Sequence, residues 1–157
     1  WAMRAGAGRA RHETVLFLDA DLRGLSPDHI DDLVLPVLAR QADMTIGIFR
    51  DGRTYTDWAQ ALTPHISGQR CLPRAVVLAA PLLEQCRFGV EVALTAHARA
   101  QGLLIEFVPL PGATHVTKEE KRGPLAGLLA RGRMYAEMLV TLARYRWVMR
   151  GQAALYF

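Results

Sequence analysis

The apolar run Val15-Leu16-Phe17-Leu18 ends abruptly in Asp19-Ala20-Asp21-Leu22. Four consecutive apolar residues bounded by charge read as a buried, parallel strand, and in open α/β sheets ligands gather at the carboxyl ends of such strands. Two carboxylates therefore emerge together where the strand reaches solvent. Like charges at this range repel, and one takes up a proton unless a cation lies between them. A hard divalent cation with oxygen ligands, and then a phosphate-bearing ligand, suits the pair. A solvated Asp-rich turn is the plain alternative.

The rest of the chain alternates between helical and strand signals. Residues 1–11, rich in Ala and Arg but interrupted by Gly6 and Gly8, read as a helix that ends just before a strand over 14–18. Ser26-Pro27 places a capping hydroxyl ahead of a proline at the first helical position, a strong helix start. Ile30, Leu33, Val34, Val37 and Leu38 then recur at the spacing of one buried helical face, and Pro36 is expected to kink that helix. A second strand is expected over 44–49 and a polar loop over 51–56. From 58 to 83 the pattern is mixed: a short helix up to Leu62, a break at Pro64, then residues 66–74 and a further apolar helical stretch. Gly89 opens a helix that runs to Gln101, with Gly102 at the left-handed cap. A third strand over 103–108 precedes Pro109-Leu110-Pro111-Gly112, a charged loop over 114–123 and a long amphipathic helix over about 125–150. Strands alternating with helices imply an α/β fold, a mostly parallel sheet flanked by helices.

The chain of 157 residues fits a single domain with a real core, and 51% hydrophobic residues exclude a disordered protein. The net charge of +4 is uneven: +2 over residues 1–13, +5 over 115–150 and −3 between them, where the Asp pair lies. A basic C-terminal third beside an acidic site fits a phosphorylated ligand or an anionic membrane surface. Nucleic acid is disfavoured, because the basic residues are not interleaved with aromatic stacking platforms. Cys71 and Cys86 lack metal-ligand spacing and read as buried thiols of a reducing compartment. With no apolar run long enough to span a bilayer and no signal-peptide core, the expected location is cytoplasmic, with association at a membrane surface as an option. A start at Trp1, within a helix already under way, suggests a piece of a longer chain.

Haloacid-dehalogenase-type phosphatases also place Asp-x-Asp after an apolar strand. They need a later acidic pair at another strand end to hold magnesium, and residues 104–108 lead here into Pro109-Leu110-Pro111 with no carboxylate. A nucleophile without its metal shell would be inactive. A different ordered set is present: Asp19-Ala20-Asp21, the Ser26-Pro27 helix, the strand from Ala42-Asp43-Met44 to Gly47, Ser67-Gly68-Gln69-Arg70, Phe88-Gly89-Val90-Glu91, and Gly112-Ala113-Thr114-His115 followed by Lys118-Glu119-Glu120-Lys121-Arg122-Gly123. In this order the chain resembles the GT-A-fold glycosyltransferases of family 2 and their relatives, over about residues 15–123. The expected domain is a single partial GT-A-like unit, 1–157, with its core at about 14–123 and a helical segment at about 124–157.

The resemblance implies transfer of a hexosyl group from a nucleotide-diphosphate sugar, UDP- or GDP-linked, to an unidentified acceptor. It implies a divalent metal, Mn²⁺ or Mg²⁺, held by Asp19, Asp21 and His115, with Asp19 also towards the ribose; the imidazole mildly favours Mn²⁺. Lys118, Lys121 and Arg122 would close over the diphosphate, Ser67, Gly68, Gln69 and Arg70 would line the cleft against sugar or acceptor, and Glu91 would contact the acceptor or act as general base. Each has a plainer reading: a surface-loop histidine, a solvated charged loop, and an acid that favours the first turn of its helix. The likeness lacks the nucleotide-base-binding part with which family members begin. Hence the alternative: a noncatalytic glycosyltransferase remnant serving as a binding or assembly module. A sheet without its first strands would expose an edge, so a homo-oligomer is expected. Met134, Met138, Leu139, Leu142, Tyr145 and Met149 form an apolar stripe among arginines, suited to packing on the domain, a partner helix or a membrane surface.

Overall fold

The computed structural model describes residues 2–49, 67–81, 83 and 89–115, together with Ala136, Val140, Thr141, Ala143 and Arg144. Four strands form one sheet: β1 (Thr14–Phe17), β3 (Met44–Ile48), β4 (Arg70–Pro73) and β5 (Ile105–Pro109). Their spatial order is β1-β4-β3-β5. β3 and β5 pair in parallel, with Met44 opposite Ile105, while β4 runs antiparallel to both β1 and β3. Three strands share one direction and one is reversed between them, so the sheet is mixed rather than mostly parallel. β1, expected as a buried parallel strand, is half-buried and pairs antiparallel with β4, which separates it from its co-directional neighbours. Of these four strands, β4 is the one the sequence does not disclose, because four residues containing Arg70 and Pro73 carry no strand-like pattern of their own. Its placement is set by two neighbours far away in the chain.

Strand periodicity divides the side chains between two layers. On one face, Val15, Phe17, Met44, Ile46, Leu72 and Ile105 meet the helices α1 (Ala2–Arg9), α3 (Arg74–Ala79) and α4 (Val90–Ala100) in a core that includes Ala7, Val77, Ala93, Leu94 and Ala98. On the other, Leu16 and Val108 meet Leu33 of α2 (Pro27–Leu38), with Leu110 and Ala113 completing the cluster. Thr45 points towards α2, and its hydroxyl donates to the Leu33 carbonyl at 2.6 Å. Met44, Ile46, Leu72, Leu94 and Leu33 are each fully buried. At about 1.5–3 kcal/mol per buried side chain, this burial outweighs the few ladder bonds of such short strands.

The helix boundaries follow the local signals. Ser26 caps α2 by accepting from the His29 amide at 3.3 Å, while His29 Nδ1 accepts from the Ser26 amide at 3.2 Å. A histidine thus takes the place that Glu or Gln holds in the usual capping box. Pro36 lies within the last turn, and the helix ends two residues later at Leu38. The expected apolar face is only partly realised: Leu33 and Val37 are buried, but Leu38 is 59% exposed. Gly89, at φ 113°, precedes α4, and Gly102, at φ 72°, follows it in the left-handed conformation expected of a cap. The expected helix up to Leu62, the loop over 51–56, Cys86, the Lys118–Arg122 stretch and most of the C-terminal helix lie outside the described residues; the five described residues between 136 and 144 are helical. No helix among the described residues is long and apolar enough to cross a membrane.

Candidate functional site

The chain leaves β1 at Phe17, passes through the Asp19-Ala20-Asp21 loop and enters β2 (Leu22–Arg23), which pairs antiparallel with β6 (Thr114–His115). Leu22 lies opposite His115 and Arg23 opposite Thr114. This ribbon brings the loop after β1 and the loop after β5 to the same end of the sheet. It is locked by a close backbone approach: Gly24 has φ 72°, and a Cβ there would stand 2.2 Å from the Gly112 carbonyl oxygen. No side chain fits, so the glycine is required by space as well as by conformation. Two-residue strands leave no readable pattern in the sequence, and the ribbon is a feature the sequence reading missed.

Asp19 is held by the segment that leads into β4. Gln69 Nε2 donates to Asp19 Oδ2 at 2.7 Å, and Ser67 Oγ donates to Gln69 Oε1 at 2.7 Å. Gly68 lies against the same carboxylate; a Cβ there would be 2.2 Å from Asp19 Oδ1. Asp19, Ser67, Gly68 and Gln69, which the sequence reading grouped into one cleft, therefore do come together. Gln69, expected to face sugar or acceptor, does not: it is fully buried, its amide engaged by the Asp19 carboxylate and the Ser67 hydroxyl.

Arg70 requires a correction. Expected to face sugar or acceptor, it has no exposed surface. Its Nε and Nη2 both donate to the Ser67 carbonyl, the former at 3.2 Å, and its Nη1 donates to the Glu91 carbonyl at 2.9 Å and to Thr95 Oγ1 at 3.2 Å. Burial lowers its pKa to about 10, against the attraction of the Glu91 and Asp19 carboxylates. The guanidinium is still charged at neutral pH. A charged residue type signals the surface in a sequence; here the Ser67 carbonyl three residues back and the Glu91 carbonyl of α4 make burial tolerable.

Glu91 occupies the first turn of α4 and is half-buried. Its carbonyl also accepts from Thr95 Oγ1 at 2.8 Å, so Thr95, which no sequence signal marked, joins the same network. Asp21 lies on the loop just before β2, and His115 is placed by its backbone pairing with Leu22; of the His115 side chain nothing is described. Among the described residues no three of His, Cys, Asp and Glu gather into a metal-binding group. Lys118, Lys121 and Arg122 are outside the described residues. A cavity of about 560 Å³ on the α2 face, lined by His12, Glu13, Thr14, Leu16, Val34, Leu38 and Cys71, contains none of these site residues.

No protein-family model and no curated protein matches the chain. Solved structures do. Glucosyl-3-phosphoglycerate synthase from Mycobacterium tuberculosis, in complex with Mn²⁺, UDP-glucose and phosphoglyceric acid, superposes with a TM-score of 0.66 at 23% identity, over 92% of this chain and 53% of that one. The same synthase with Mg²⁺ and UDP gives the same score, identity and coverage. A further mycobacterial protein superposes with a TM-score of 0.65 at 25% identity, over 90% of this chain and 50% of that one. The likeness establishes the fold: a mixed sheet flanked by helices, of the GT-A glycosyltransferase type. The chain spans about half the length of the structures it matches.

Proposed function

We propose that this chain carries the metal- and sugar-nucleotide-binding portion of a glycosyltransferase that moves a hexosyl group from a UDP- or GDP-sugar to an acceptor. The observation that carries the reading is the β2–β6 ribbon, which sets Leu22, next to Asp21, opposite His115 at one end of a GT-A sheet. Asp19 and Asp21 supply hard carboxylate oxygens on one loop, and the backbone brings an imidazole-bearing residue to the same ribbon. This donor set fits Mn²⁺ or Mg²⁺, and the matched synthase was solved with both ions. Such an ion, when bound, stabilises the charge that develops on the diphosphate leaving group.

The chain's own residues divide the remaining work. Gln69 and Gly68 fix the Asp19 carboxylate from behind, leaving Asp21 and His115 to complete the ligand set from the ribbon. Lys118, Lys121 and Arg122, close after His115 in the chain, neutralise the diphosphate and exclude water that would hydrolyse the donor. In the transfer, an acceptor oxygen attacks the anomeric carbon as the bond from that carbon to the diphosphate oxygen breaks, and the electron pair leaves with the nucleoside diphosphate. For a neutral hydroxyl acceptor the proton passes to the Glu91 carboxylate. The matched synthase binds phosphoglyceric acid, and a phosphorylated small acid is the acceptor class to try first.

Calorimetry tests the reading directly. The chain is titrated with Mn²⁺ and a panel of UDP- and GDP-sugars, alone and together. Binding of one sugar nucleotide that requires the metal and is lost in Asp21→Asn is the expected result. No binding across the panel would sink the transferase reading and leave the noncatalytic module.

A further inference from the structure

The Asp19 carboxylate and the backbone carbonyl of Glu91 are linked by hydrogen bonds that run through the residues Gln69, Ser67 and Arg70. Asp19 Oδ2 accepts from Gln69 Nε2, Gln69 Oε1 accepts from Ser67 Oγ, and the Ser67 carbonyl accepts twice from the Arg70 guanidinium. From there Nη1 reaches the Glu91 carbonyl and Thr95 Oγ1 in the first turns of α4. The segment holding Asp19 and the helix carrying Glu91 come from parts of the chain about seventy residues apart. Among the described residues, Arg70 bridges the two through the Ser67 and Glu91 carbonyls.

We propose that Arg70 is a positioning residue: it binds no substrate, and by clamping the Ser67 carbonyl to the first turn of α4 it couples the setting of Asp19 to that of Glu91. Its functional weight rests on the transferase reading above, in which those two residues act.

The chemistry of the side chain favours this role over plain core filling. A buried guanidinium is costly, and an apolar side chain of like volume would fill the space at less expense. Its planar fork, by contrast, places donors on two carbonyls at a fixed angle, which neither an apolar side chain nor the single-point ammonium of lysine can do. Burial pushes the group down only to about 10, with the Glu91 and Asp19 carboxylates opposing the shift, so the clamp is charged wherever the protein is folded at ordinary pH. Thr95 fits the same purpose: it donates to the Glu91 carbonyl while accepting from Arg70, and so holds the carbonyl in place.

The test is a coupling measurement on the full chain that requires no turnover. Amide hydrogen exchange in residues 90–95 is compared in the parent and in Asp19→Ala, Arg70→Lys and the double variant. Asp19→Ala is expected to speed exchange in that turn about threefold or more, and to add nothing once Arg70 is Lys. Residues in one network couple in this way, and independent ones do not. Arg70→Lys keeps charge and stem, so the fold is retained; Arg70→Met is the second variant should it not be. If Asp19→Ala leaves α4 untouched in the parent, or acts equally in both backgrounds, the proposal is overturned. Mn²⁺ titration of the same four proteins keeps the two ideas apart: a parent that binds no metal defeats the transferase reading, while the exchange result still decides the clamp.

Discussion

Gly68 has no room for a side chain because the Asp19 carboxylate fills it, with Oδ1 2.2 Å and Oδ2 2.6 Å from where a Cβ would stand. The obstacle is the end of a side chain, so Gly68→Ala is expected to turn Asp19 away and leave the backbone in place. Thermal unfolding should shift by no more than a few degrees, while Mn²⁺ affinity falls about tenfold or more; an unchanged affinity would show that Asp19 is not a ligand. Glu91 admits a similarly sharp test. Its carbonyl, and not its carboxylate, makes the bonds to Arg70 and Thr95, so Glu91→Gln preserves the clamp. In protein that shows turnover, it should cut the rate on a neutral hydroxyl acceptor about 10²-fold with sugar-nucleotide binding unchanged. With an acceptor that is already a phosphate the same change should cost little, since no proton has to be taken.

Among the elements, the β2–β6 ribbon is the most vulnerable. Gly24→Ala would force a side chain into φ 72° and against the Gly112 carbonyl oxygen, and here the obstacle is backbone. The strained conformation alone costs about 1–3 kcal/mol. We expect a lower urea midpoint together with loss of Mn²⁺ binding, because Asp21 and His115 are brought together by that pairing; retained binding would separate the metal site from the ribbon. The same contrast explains what the sequence disclosed. β1, α2, β3, α4 and β5 were legible because their signals are local: an apolar run, Ser26-Pro27, and Gly89 and Gly102 around an apolar helix. β4, β2 and β6 were not, since their strand character comes from partners tens of residues away: Cys71 opposite Leu16 and Thr45, Leu22 opposite His115. At the site, the grouping of Ser67, Gly68 and Gln69 with Asp19 was legible from the ordered motifs. The direction of Arg70 was not, because only the folded chain supplies the Ser67 and Glu91 carbonyls that make its burial tolerable.

At the scale of the whole molecule, titratable groups buried on opposite faces of the sheet set the pH range of stability. His97, 5% exposed in α4, has its pKa lowered from 6.5 by burial. Above pH 6.5 it is neutral in both states. As pH falls below that value the unfolded chain binds a proton that the folded one resists, so stability declines until the folded pKa is passed. Cys71, fully buried in β4 on the α2 side, has its thiol pushed up from 9.0 to about 11. Below pH 9 both states hold the proton; above it the unfolded chain releases one that the folded chain keeps, and stability falls as pH rises towards 11. Two pK units correspond to about 3 kcal/mol at most. Arg70 works in the opposite sense, because its folded pKa lies below the ordinary arginine value, but only from about pH 10 upwards. The window from 9 to 10 therefore separates the cysteine from Arg70. Urea midpoints measured from pH 5 to 10 should show a plateau between about 6.5 and 9 with a decline on either side. His97→Gln should flatten the acid limb and Cys71→Val the alkaline one, each leaving the other limb as it was. An acid limb that persists undiminished in His97→Gln would place the cause in another group, and an alkaline limb that survives Cys71→Val would do the same for the thiol.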